Sequence, residues 1–189
     1  MNTSDKHLVG AFSTFFFNGA DSTGSTAAWC LHFLSLDQDL QRRLRAELAD
    51  MAPNSSAAGR ARALEALPLL NAVICETLRF VPPLPVTIRM PTKDVVIRAS
   101  EDVVLRDGSI VREFTVKKNT PIHIPILGFN TLTDFWGEDA KQFNADRWNN
   151  IPETAKGLPG IHQTMAFTFG PHGCPGYALA LTEYVSFVL

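Results

Sequence analysis

The sequence predicts a mainly α protein with a small β portion (an α+β chain), and three observations carry that reading. From Leu8 to Leu36 runs one helical pattern, far longer than an ordinary helix and apolar on nearly every face. Two further helical stretches follow, Leu40–Met51 and Leu69–Phe80, the first charge-rich and amphipathic, the second mostly apolar. Between Val86 and Ile126 the pattern changes to short β-branched runs punctuated by Pro, Gly and Asp, before a glycine-rich turn feeds a last helix from Tyr177.

Composition narrows the partners. At 189 residues, 46% hydrophobic and 19% charged, the chain can build one globular domain with a real core. A net charge of -2 gives no reason to expect nucleic acid or an anionic membrane surface. Cys30, Cys75 and Cys174 are odd in number and widely spaced, which argues against a disulfide framework or a structural zinc site and fits a reducing compartment. No apolar run reaches transmembrane length and no signal-peptide pattern opens the chain.

The elements follow in order. Asn2-Thr3-Ser4-Asp5 reads as a cap on the first helix. Inside that helix Asn18-Gly19-Ala20-Asp21-Ser22-Thr23-Gly24-Ser25-Thr26 is a polar interruption, where hydroxyls can bond back one turn and the helix can open to admit a water. A run of small residues that simply packs closely explains the glycines equally well; Asp21 tips the balance, because a carboxylate in a buried helix is costly unless paired or used. Asp37 caps the second helix, Pro53 to Gly59 reads as a solvent loop, and Pro68 opens the third helix, with Glu76 and Arg79 on one face. Pro82-Pro83-Leu84-Pro85 ends it. Strands are expected at Val86–Arg89, Val95–Ile97, Val103–Leu105, Ile110–Val116 and Pro121–Ile126, with a hairpin turn at Asp107-Gly108. A helical turn at Phe135–Ala140 and a polar meander, Asn149 to Gln163, lead to the cysteine turn.

Cys174 is the residue most suggestive of chemistry. It lies among Gly170, Gly173 and Gly176, with Phe167 upstream and a helix start just beyond. A helix N-terminus stabilises a thiolate, and small neighbours let a flat, bulky partner approach the sulfur. A buried structural cysteine is the commoner explanation of a lone Cys, but the density of glycine and aromatic residues favours a thiolate offered to a metal.

Taken together, Asp21-Ser22-Thr23, Glu76-x-x-Arg79, Phe143-x-x-x-Arg147-Trp148 and Phe167-x-x-Gly170-x-x-x-Cys174-x-Gly176 make the chain resemble the cytochrome P-450 superfamily, in a eukaryotic style that points to fungi. The resemblance covers essentially all of residues 1–189, read as a single incomplete domain. It runs from the family's long distal helix through the cysteine loop to the start of the following helix. The family's earlier helices, membrane anchor and final β hairpin fall outside it.

The resemblance implies haem b as cofactor, with Cys174 as the axial iron ligand. It implies that His172 and Arg89 contact the haem propionates, that Phe167 packs beside the sulfur, and that Gly170 and Gly176 permit close approach. Asp21 and Ser22 match an acid–alcohol pair relaying protons, and Gly19 the point where the helix opens over the haem. Glu76, Arg79 and Arg147 match a structural salt-bridge cluster, and Phe15, Phe16, Asn18 and Pro83–Ile88 match substrate-facing regions. Ser22 in place of Thr, Asn18 in place of a small apolar residue, Ala145 in place of Pro, and Thr168 depart from the family pattern. The implied activity is haem-thiolate monooxygenation of a small apolar organic substrate, with electrons from an NADPH-cytochrome reductase. The parent protein is then expected at the cytoplasmic face of the endoplasmic reticulum membrane. A truncated, inactive remnant that binds haem weakly or not at all is the alternative. A cysteine hydrolase pairing Cys174 with His162 or His172 trails far behind, since it leaves the other motifs unexplained.

Overall fold

The computed structural model describes residues 5–51 and 56–187. The expected cap at Asn2-Thr3-Ser4, most of the loop around Pro53-Asn54-Ser55, and the last two residues lie outside that set. The chain divides into two units, one formed by residues up to Pro85 and from Ile126 onward, the other by Val86–Pro125.

The larger unit is helical. Its helices α1 (Asp5–Leu36), α2 (Gln38–Ala49), α3 (Ala57–Glu65) and α4 (Pro68–Phe80) precede the β segment, and α5 (Ile126–Asn130), α6 (Thr133–Trp136), α7 (Glu153–Lys156) and α8 (Tyr177–Phe187) follow it. Capping explains the starts. Asp37 Oδ1 accepts from the amides of Asp39 and Leu40 at 3.0 and 2.9 Å. Ser56 caps α3, so the expected solvent loop ends there and Ala57 to Gly59 already belong to a helix. Leu67 brings no capping side chain to α4; the Glu47 carboxylate of α2 accepts from the amides of Leu69 and Leu70 at 2.8 and 2.9 Å instead.

Helix α4 is the centre of packing. Leu70, Val73, Ile74 and Leu78 join Cys30 and Leu34 of α1, Leu40 and Leu44 of α2, Leu64 of α3, and Tyr184 and Val185 of α8 in one buried cluster. A smaller cluster gathers Trp136, Ala140 and Ala155. Helix α1 departs from expectation in two ways. It buries only Thr23, Thr26, Ala27, Cys30 and Leu34, while Phe12, Phe15, Phe16 and Phe17 are 69–72% exposed, because nothing among the described residues packs over its first half. It also stays helical through Gly19. The hydroxyls of Thr14, Ser22 and Thr26 and the Asn18 amide bond to carbonyls one turn back without breaking the backbone ladder.

The smaller unit holds two antiparallel pairs. Strand β1 (Thr87–Arg89) pairs with β4 (Ile122–Ile124), and β2 (Val95–Val104) pairs with β3 (Ile110–Val116). The two strands expected at Val95–Ile97 and Val103–Leu105 are one, β2, with a register shift between Arg98 and Val103. Asp107-Gly108 does form the hairpin turn, with Gly108 at φ 84°. The strand expected to reach Ile126 stops at Ile124, since Pro125 has no N–H for a ladder and Ile126 begins α5. No described helix is long and apolar enough to cross a membrane.

Candidate functional site

Burial separates the three cysteines. Cys30 and Cys75 are buried, and burial pushes their thiols up to about 11 and about 12, which leaves them unreactive. Cys174 is exposed. It sits in a loop closed by its own amide, which donates to the Phe167 carbonyl at 2.9 Å. Within that loop Gly173 N–H donates to Gly170 O at 3.0 Å, and the Thr168 hydroxyl donates to His172 O at 3.1 Å. Gly170 adopts φ 73°, a left-handed conformation that favours glycine. A Cβ on Gly176 would lie 4.0 Å from Cys174 Sγ, ordinary van der Waals contact, so space alone does not require glycine there.

The loop walls a cavity of about 430 Å³. Cys174, Phe167, Phe169 and Tyr177 contribute to it together with backbone at Gly170 and Gly173, and Phe167 meets Tyr177 edge to face at 6.3 Å. An exposed thiol donor, aromatic walls and an edge free of side chains suit a flat, apolar, metal-bearing ring. His172 belongs to the same loop and is exposed. Arg89 lies in β1 of the other unit, exposed, with its guanidinium donating to Thr87 Oγ1 and Ile88 O. Cys174 has no hydrogen bond to His162 or His172 among the described residues, so the hydrolase dyad is not formed.

Helix α1 packs on α8, and Tyr184 marks the meeting point. Burial raises its phenol above the ordinary value, and the neighbouring hydroxyls of Thr26 and Thr23 offset part of that. The acid–alcohol pair lies on the same α1. Asp21 is exposed rather than buried, so the burial that made its carboxylate suggestive is not found; its contact with solvent suits proton exchange instead. Ser22 Oγ donates to Asn18 O at 2.6 Å. Gly19 is half-buried, with open space where a Cβ would stand.

The salt-bridge cluster is complete. Arg79 and Glu76 are fully buried, and the guanidinium meets the carboxylate through two bonds, Nε–Oε2 at 2.8 Å and Nη2–Oε1 at 2.7 Å. Its remaining donors reach the carbonyls of Asn130, Ala140 and Gln142. Glu76 also accepts from the Asn144 amide at 2.8 Å and the Trp148 indole at 3.1 Å. Arg147 comes within 3.6 Å of Glu76 and bonds Asp139 Oδ1 at 2.7 Å and the carbonyl of Trp136 at 2.9 Å. The expected trio is brought together; Asp139 was missed.

A family model described as Cytochrome P450 matches residues 1–188. The chain is 36% identical over 181 residues to Cytochrome P450 monooxygenase 128 of Postia placenta, covering 95% of this chain and 32% of that protein. It is 34% identical over 189 residues to ganoderic acid synthetase CYP5150L8 of Ganoderma lucidum, covering 95% and 34%. The chain thus spans about a third of the length of the curated relatives it matches. A crystal structure of a cytochrome P450 (CYP102L1) shares the fold with a TM-score of 0.73 at 24% identity, over 99% of this chain and 38% of that one.

Proposed function

The chain belongs to the cytochrome P450 family, and from that premise we propose that it is the thiolate-bearing part of a haem-dependent monooxygenase, with both of its units in one larger domain. The observation that carries the reading is the exposed Cys174 at the mouth of a glycine-edged, aromatic cavity while the other two cysteines are buried. Haem b, the family's cofactor, would supply the activation of dioxygen and its transfer as one oxygen atom to the substrate. Cys174 would hold the iron as a thiolate and donate electron density to it. Phe167 and Tyr177 would flank the sulfur, His172 would neutralise a propionate, and the family resemblance gives Arg89 the same role.

Protons would pass through α1. Asp21 would take up protons and the Ser22 hydroxyl would hand them on. Because Ser22 Oγ currently donates to Asn18 O, delivery requires the side chain to rotate off that carbonyl, while its lone pairs remain free to accept. Substrate would be a small apolar organic molecule bordered by Phe15, Phe16 and Asn18, with electrons from an NADPH-cytochrome reductase at the cytoplasmic face of the endoplasmic reticulum.

The test is the reduced carbon monoxide spectrum of the full-length protein. The expected result is the red-shifted Soret band of a thiolate ligand, lost completely in Cys174→Ser. Survival of that band in the variant would overturn the ligand assignment. A wild-type protein that holds no haem would point to an inactive remnant.

A further inference from the structure

We propose that Thr168 is a positioning residue for Cys174, its hydroxyl acting as the strut that holds the loop presenting the sulfur. The inference rests on the haem-thiolate reading and deepens it. Thr168 stands at φ 56°, in the left-handed region that a β-branched residue rarely occupies and that glycine or asparagine enters freely. A threonine there needs something that only a threonine-like side chain supplies. Its Oγ1 donates to the carbonyl of His172 at 3.1 Å, four residues on and across the mouth of the loop.

The backbone around Thr168 is pinned on both sides. Its own amide donates to Met165 O at 2.8 Å, and the preceding carbonyl, Phe167 O, accepts from the Cys174 amide at 2.9 Å. The opposite arm of the loop is held less well. Between Gly170 and Cys174 the main-chain bond is Gly173 N–H to Gly170 O, and that arm contains two glycines. Thr168 Oγ1 makes the one side-chain hydrogen bond across the loop among the described residues, and it fixes the peptide that leads directly into Gly173-Cys174. Thr168 also lines the cavity beside Cys174, so release of the strut would be felt at the sulfur.

The experiment compares the haem-loaded full-length protein with Thr168→Val, Thr168→Ser and Thr168→Gly. Valine keeps the shape and loses the hydroxyl; serine keeps the hydroxyl; glycine relieves the backbone and loses the hydroxyl. The readout is the ratio of thiolate-ligated to thiolate-lost haem in the reduced carbon monoxide complex. Loss of one such bond predicts a fall of about fivefold in that ratio for Thr168→Val, with Thr168→Ser near wild type. Thr168→Gly, which removes the strain, covers the case in which the valine variant does not fold, and the same fall is expected. A ratio unchanged in the variants lacking the hydroxyl, or equally lowered in Thr168→Ser, overturns the proposal while leaving the haem-thiolate reading intact. A wild type with no thiolate-type band overturns both.

Discussion

Arg79 commits all five of its N–H donors inside the protein, two to Glu76 and three to carbonyls from segments more than fifty residues away. That is how two fully buried charges are tolerated: every donor of Arg79 is used, and its guanidinium lies over the Trp136 and Phe80 rings at 5.2 and 5.7 Å. Arg147 extends the network to Asp139, a carboxylate whose side chain is 41% exposed. The hydrogen bond from Arg147 is the largest cause holding the Asp139 carboxyl below the usual range. A depressed folded value means stabilisation that is present above the unfolded carboxylate value, about 3.9, and lost as pH falls through the folded one. Asp139→Asn should therefore lower stability at neutral pH by about 1 kcal/mol or less, given the exposure, with the difference closing in strong acid. Urea unfolding of both proteins at neutral and acid pH checks it; a constant difference would assign the effect to packing. Glu76, Arg79 and Arg147 are legible in the sequence because motif spacing marks them. Asp139 and the Asn130, Ala140 and Gln142 carbonyls are not, because they reach the cluster only after the chain has folded back on itself.

Among elements, position was easier to read than environment. The helical period placed α1, α2 and α4 within a few residues, and Asp37 and Pro68 marked two of their starts. What periodicity cannot state is who covers a face. An all-apolar α1 reads as buried, yet in this chain its first half is bare. The cap on α4 comes from Glu47 of another helix, and no local pattern could announce it. Gly19 makes the same point. In sequence it reads as an opening, whereas in the structure it is one residue of a continuous helix with open space where a Cβ would stand. Gly19→Ala should then stabilise α1 by about 0.5–1 kcal/mol through helix propensity alone. Thermal unfolding of the two proteins without haem checks it. A lower melting temperature for the variant would mean that Gly19 must leave the helical conformation, as the sequence first suggested.

At the scale of the whole molecule, the decisive feature is the imbalance between a closed core and an open flank. The cluster around α4 is sealed, with Leu70 and Val73 fully buried. On α1, Leu8, Val9, Phe12, Phe15, Phe16 and Phe17 are all between 56% and 72% exposed, and Phe12 stacks on Phe16 with centroids 6.2 Å apart. Four phenylalanines exposed to that degree present on the order of 500 Å² of aromatic surface on one helix, comparable to the largest apolar patch of a typical monomer. The relatives it matches, of which this chain covers about 32%, have ample further polypeptide with which to cover such a flank. Left bare in water, the flank should bury itself against another copy, because area removed from water is the dominant driving force for association. The chain by itself is expected to sediment as oligomers that dissociate on dilution, and the paired substitution Phe12→Ser with Phe16→Ser to shift it toward monomer. The double change should leave the unfolding of the α4 core nearly unaltered, since neither side chain belongs to that cluster. A wild-type chain that is monomeric at high concentration would show that this face is covered in solution by a rearrangement of the chain's own elements.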